Sequence, residues 1–155
     1  MRNPLIIMIT SLTILTSTPS FAGLGDHAVT VAIDAQKMSA RFFQAHQTIQ
    51  QPWTRHDLTL QDGTATEFTD ASGIVFAVAW KTQTMPDLTA LLSSHKSEFD
   101  QAQINQNEKI RSPRHFSAKV GDMTVVSAGH LRAFEGYAYL STMLPQGFDF
   151  GELSK

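Results

Sequence analysis

The chain has 155 residues, no cysteine, 42% hydrophobic and 17% charged residues, and a formal net charge of −2. Without cysteine there is no disulfide, no thiol nucleophile and no thiolate metal ligand, so the domain must be held by packing and hydrogen bonds. The mild negative charge has the wrong sign for a phosphate-binding surface, which argues against nucleic acid as a partner.

Met1 to Ala22 has the parts of a cleavable export signal. Arg2 forms a positive n-region, Leu5 to Leu15 an apolar h-region, and Ser20-Phe21-Ala22 supplies small residues at the positions a signal peptidase reads. The apolar stretch is 11 residues long, roughly 16 Å of helix against a hydrocarbon core of about 30 Å, so it is too short to span a bilayer. No later uncharged apolar run approaches about 18 residues, so no transmembrane segment is expected in the mature chain. Cleavage after Ala22 leaves 133 residues with 11 of the 12 basic side chains and all 14 acidic ones, a formal charge of −3. That length suits one domain, 23–155, and the expected compartment is the periplasm, with secretion as the alternative.

Val29, Val31 and Ile33 alternate as a short strand or an extended arm would. Asp34 is placed to cap a helix in which Met38, Phe42, Ala45 and Ile49 form one stripe, ended by Pro52. Thr54 to Leu60 and Thr64 to Thr69 read as strands joined through Gln61-Asp62-Gly63, since Asp-Gly accepts the positive backbone angles of a tight hairpin. After a second turn, Asp70 to Gly73, the strand Ile74 to Trp80 is apolar on both faces. Ile74, Phe76, Val78 and Trp80 share one, and Val75, Ala77 and Ala79 the other. Such a strand is central, and its second face must be covered by another part of this chain, a second copy or a partner.

Thr84-Met85-Pro86-Asp87 reads as a helix start, with Thr84 as cap, Pro86 in the first turn and Asp87 at the positive end of the dipole. Leu88, Leu91, Leu92, His95, Phe99 and Ala102 continue as one stripe. The polar tract 101–114 is expected to be a loop. Phe116 to Val120 and Met123 to Ala128 read as strands joined at Gly121-Asp122, and Leu131 to Leu140 as another, interrupted at Gly136. Pro145, Gly147 and Gly151 leave 145–155 as an irregular tail. The expected fold is α+β: a single domain with a meandering antiparallel sheet and two helices packed mainly on one face.

Two blocks carry a resemblance. Gly73-Ile74-Val75-Phe76-Ala77-Val78-Ala79-Trp80 followed by Met85-Pro86-Asp87-Leu88, and Gly129-His130-Leu131-Arg132-Ala133-Phe134 with Gly136, resemble the bacterial exported family called domain of unknown function 2844. The resemblance runs from about Asp34 to Pro145. The chain departs from the family pattern at Thr82-Gln83, where Gly-Pro is usual, at Ser93, where Gly is usual, and at His95-Lys96, where Tyr-Phe is usual. It implies an exported protein and brings no activity with it.

Recognisable chemistry is sparse. Gly23-Leu24-Gly25-Asp26-His27-Ala28 has dinucleotide-loop spacing without a preceding strand. There is no HExxH, GxSxG, Walker loop or calcium loop. His95 has Phe99 where a second metal ligand would sit, so it reads as a boundary histidine, and no metal or cofactor is expected. Lys109, Arg111, Arg114, His115 and Lys119 read as a solvated basic loop. The sharper candidates are His130 and Arg132, two apart in an extended segment with Phe134 beyond, which could hold a carboxylate or phosphate near Trp80. No catalytic residue is assigned. The favoured function is a non-enzymatic envelope module binding another protein or a second copy; the alternative is a small anionic-ligand binder, or an enzyme with an unfamiliar site, around His130, Arg132 and Trp80.

Overall fold

The computed structural model describes residues 23–27, 36, 38–47, 51–107 and 115–155. The expected export signal, the Val29 to Ile33 segment, Asp34 and most of the basic loop lie outside them. Seven strands form one antiparallel sheet: β1 (Phe42–Gln47), β2 (Trp53–Thr59), β3 (Gly63–Asp70), β4 (Val75–Thr82), β5 (His115–Val120), β6 (Met123–His130) and β7 (Ala133–Leu140). Their spatial order is β1-β2-β3-β4-β7-β6-β5. Two meanders therefore meet at β4 and β7, and the chain crosses between them through the helix.

The expectation of two helices is wrong. Among the described residues there is one helical run, α1 (Leu88–Leu92) and α2 (Lys96–Asn107) joined by a 3-10 turn at Ser93–His95. The expected first helix is instead partly β1, which pairs residue by residue with β2 from Phe42↔Thr59 to Gln47↔Thr54. Two things defeat the helical stripe. Ser39 has φ +53, a left-handed conformation that stops a helix, and β2 has an edge whose backbone groups need partners. The expected polar loop is corrected too, since 101–107 continue α2.

The other helix start is confirmed with a different cap. Asp87, not Thr84, is the N-cap, and its carboxylate accepts from the Thr89 N–H at 2.9 Å. The backbone N–H of Thr84 donates to Asp62 at 3.1 Å, and its hydroxyl bonds the same carboxylate, tying the β2–β3 turn to the end of β4. Gly63 is absent from the positive-φ positions. Its role is close approach, because a Cβ there would lie 2.1 Å from the Lys81 carbonyl oxygen.

One sheet face carries the main core. Leu58, Ala65, Val78, Trp80, Met123, Val125, Ala138 and Leu140 pack with Leu88, Leu91, Leu92 and Phe99 of the helical run. Leu24 joins them, fully buried, with its N–H on the Leu91 carbonyl at 3.0 Å. The helix–sheet contact extends to the edge strand, where the Phe99 and Phe116 rings meet edge-on at 5.2 Å. No helix among the described residues is long and apolar enough to cross a membrane.

The strict alternation expected along β4 fails at a bulge. The register shifts between Phe68 and Thr69, with Phe68 opposite Ala77 and Thr69 opposite Val75, so Phe76 is an extra residue. Phe76 therefore joins Ala77 on the second face, and Val75 joins Val78 and Trp80 on the first.

That second face is covered in part from within the chain. Phe148 and Leu153, in the segment expected to be an irregular tail, pack with Trp53, Phe68, Phe76 and Ala77. Phe148 sits at the centre, 5.3 Å from Trp53, 5.4 Å from Phe68 and 5.0 Å from Phe76, each edge-to-face. The 3-10 turn Phe150–Ser154 follows, capped by Asp149 through the Gly151 N–H at 2.8 Å. Arg55 reaches across to Glu152 at 3.4 Å.

Candidate functional site

The C-terminal segment covers only part of the second face, and what it leaves open is concave. Beside Leu153, Ser154 and Lys155 lies a groove of about 320 Å³, near the lower end of the range for small-molecule sites. The register places its lining residues in two rows. One runs Thr66, Ala79, Tyr137, Val126; the other runs Thr64, Lys81, Glu135, Ala128, His115. Because the side-chain period along a strand is two, each row presents all its members to the same face. Ala79, Val126 and Ala128 make an apolar floor, and small side chains at two of these positions keep it low.

The polar groups around the groove fall into two sets. In the first, partners are within the chain. Asp57 accepts from Arg55 Nε at 2.9 Å and from the Thr66 hydroxyl at 3.0 Å, and lies 3.5 Å from His46 Nε2. Glu152 is shared by Arg55 and Lys155. In the second set are the side chains of Thr64, Lys81, His115, Glu135 and Tyr137, whose polar atoms make no hydrogen bond or ion pair among the described residues. Lys81 and Glu135 stand directly opposite each other on adjacent strands, yet they form no ion pair. Opposite charges in that position are close enough to meet.

The residues singled out from the sequence are not brought together. His130 ends β6, Leu131 and Arg132 form a two-residue turn, and Ala133 begins β7. Arg132 has φ +62, so the extended segment expected through His130 and Arg132 is a hairpin. Both are exposed at its tip. Arg132 lines a shallow depression of about 230 Å³ with Asp62, Phe134, Lys81 and Glu135, so it borders the groove through the last two. Trp80 is among the residues around the groove, but it is 3% exposed and packs in the main core on the opposite face. Its indole lies across β7, where Gly136 provides the space: a Cβ there would be 2.4 Å from Trp80 Cζ2. Its buried Nε1 has no hydrogen-bond acceptor among the described residues.

The groove residues were missed because no local motif joins them. Lys81 interrupting an apolar run just after Trp80, and Glu135 and Tyr137 flanking a strand glycine, were the available signals. Only the β4–β7 pairing puts them side by side. Among the described residues no group of three His, Cys, Asp or Glu is placed to hold a metal.

A second polar cluster lies within the main core. His56, 8% exposed, pairs across the strands with fully buried Glu67, and its Nε2 shares a hydrogen bond of 3.0 Å with the Thr69 hydroxyl. Burial pushes the His56 pKa below the ordinary imidazole value of 6.5, and the neighbouring Asp57 charge opposes this without cancelling it. The ring is consequently held neutral at neutral pH.

Comparison with known proteins agrees with the resemblance in the sequence. The model of the family described as Protein of unknown function (DUF2844) matches residues 20–153, and the chain belongs to that family. No curated protein and no solved structure matches it.

Proposed function

We propose that this member of the DUF2844 family acts after export, in the periplasm, as a non-catalytic binding module with a small molecule seated in the second-face groove. The observation that carries the reading is the set Thr64, Lys81, His115, Glu135 and Tyr137, without hydrogen bonds or ion pairs among the described residues, above an apolar floor and beside an Arg55–Asp57–Thr66 group that is paired. Convergent polar groups over apolar walls are what a small-molecule site requires. A protein partner is the weaker reading. Its motive was a second apolar face in need of cover, and Phe148 and Leu153 already provide much of that cover. Binding is favoured over catalysis because no hydroxyl in the unpaired set is hydrogen-bonded to a histidine or carboxylate that would activate it. Export rests on the composition of Met1 to Ala22.

The test is a thermal-shift screen of the chain starting at Gly23 against amino acids, sugars, nucleosides, fatty acids and short peptides. A binding compound raises the unfolding temperature of the wild type by mass action. The same compound should not do so in Ala128→Tyr, which fills the groove, or in Thr64→Phe on the opposite wall. Stabilisation that survives in both variants, or none across the panel, would overturn the reading.

A further inference from the structure

We infer that the groove takes a free α-amino acid with a large apolar side chain, bound as its zwitterion. The inference rests on the groove being the binding site and names the chemistry it selects. Lys81 and Glu135 are direct cross-strand neighbours on the groove side of β4 and β7, at a spacing where Cβ atoms lie about 5 Å apart. They nevertheless form no ion pair with each other or with any other described residue. A ligand with a single charge satisfies one and leaves the other facing it with the same sign. A ligand carrying an ammonium and a carboxylate on one carbon answers both, with the carboxylate toward Lys81 and the ammonium toward Glu135.

The rest of the site agrees with this orientation. The Tyr137 and Thr64 hydroxyls, one in each row and both without hydrogen bonds among the described residues, flank the charged pair and can bond either head group. Below them, Ala79, Val126 and Ala128 with Leu153 as a wall offer an apolar bed, and the space of about 320 Å³ equals that of roughly ten waters. That accommodates an amino acid of phenylalanine's size. A peptide terminus brings only one of the two charges, so it does not fit the same pattern. Arg132 borders Lys81 and Glu135 from the neighbouring depression.

Amide NMR titration of the 15N-labelled chain tests this with four probes: L-phenylalanine, N-acetyl-L-phenylalanine, L-phenylalaninamide and glucose. L-Phenylalanine should shift the amides of Ala79, Lys81, Glu135 and Tyr137 saturably. Each blocked analogue should bind at least tenfold more weakly. Glu135→Gln should weaken L-phenylalanine at least tenfold while leaving N-acetyl-L-phenylalanine unchanged, and Lys81→Gln should do the same with respect to L-phenylalaninamide. Both positions are exposed, so the variants keep the fold. Equal binding of a blocked analogue, or of glucose, at these amides overturns the zwitterion but leaves the groove as a binding site. Absence of groove shifts with all four probes overturns the amino acid, and the groove itself falls only if the wider screen is also negative.

Discussion

Replacing Phe148 by alanine tests whether the C-terminal segment is part of the core or merely rests on it. The ring is 9% exposed and meets Trp53, Phe68, Phe76 and Phe150 edge-on at 5.0–5.9 Å. Burying a phenylalanine is worth about 1.5–3 kcal/mol, and a favourable aromatic pair adds about 0.5–1.5 kcal/mol beyond its area. Core Phe→Ala changes cost about 3–5 kcal/mol. This segment lies at the surface and can settle into the hole, so the low end applies, about 3 kcal/mol. For a domain of this length that corresponds to a fall of roughly 9–15 °C in Tm. Urea unfolding followed by far-UV circular dichroism measures it, with the slope unchanged because the settled segment keeps the Trp53–Phe68–Phe76 patch covered. Phe150→Ala is the control: that ring is 51% exposed, and its loss should cost under about 1 kcal/mol. A cost below about 1 kcal/mol for Phe148→Ala, or equal costs for the two variants, would refute the claim that this segment seals part of the second face.

Two further outcomes follow from close contacts and from burial. Gly136→Ala, which at an ordinary strand position would be neutral or stabilising, should destabilise by about 1–3 kcal/mol, because the new Cβ would lie 2.4 Å from the Trp80 ring and 2.5 Å from the Val126 carbonyl oxygen. A chemical-denaturation midpoint at or above the wild-type value would show that Trp80 moves aside freely. His56 makes stability fall as pH drops: above about 6.5 the ring is neutral folded and unfolded, and below it the unfolded chain takes a proton that the buried ring refuses. The loss amounts to at most about 1.4 kcal/mol per pH unit until the depressed folded pKa is reached. His56→Gln should lose less stability than the wild type between pH 7 and pH 5 in urea titrations, and superimposable profiles would remove the effect from His56.

Local signals sufficed where one interaction type dominates. Alternating apolar residues with Asp-Gly and Ser-Gly turns located β2, β3 and β4, and Pro86-Asp87 ahead of a leucine stripe located the helical run. They failed where two periodicities compete. Met38, Phe42 and Ala45 fall on one helical stripe, and the unpaired edge of β2, which no local window contains, overrode it in favour of the strand. The tail failed for a related reason, since Pro145, Gly147 and Gly151 announce irregular backbone but not that Phe148 and Leu153 beside them are buried. The site was least legible. His130 and Arg132 attracted notice as neighbours in sequence, and the hairpin turn carries them to the surface tip.

The amino-acid sequence by itself determined the sheet-rich character of the chain, its family, its reliance on packing without disulfides, and a β4 strand that must be buried on both faces. Each of these follows from composition or from residues a few positions apart. Only the tertiary structure decided that a bulge turns Phe76 toward the C-terminal segment, that this segment covers part of the second face, and that Lys81 and Glu135 stand opposite each other over the open part. Those facts depend on strand order and register, which join β4 to β7 across more than fifty residues of chain, and no local pattern encodes that pairing.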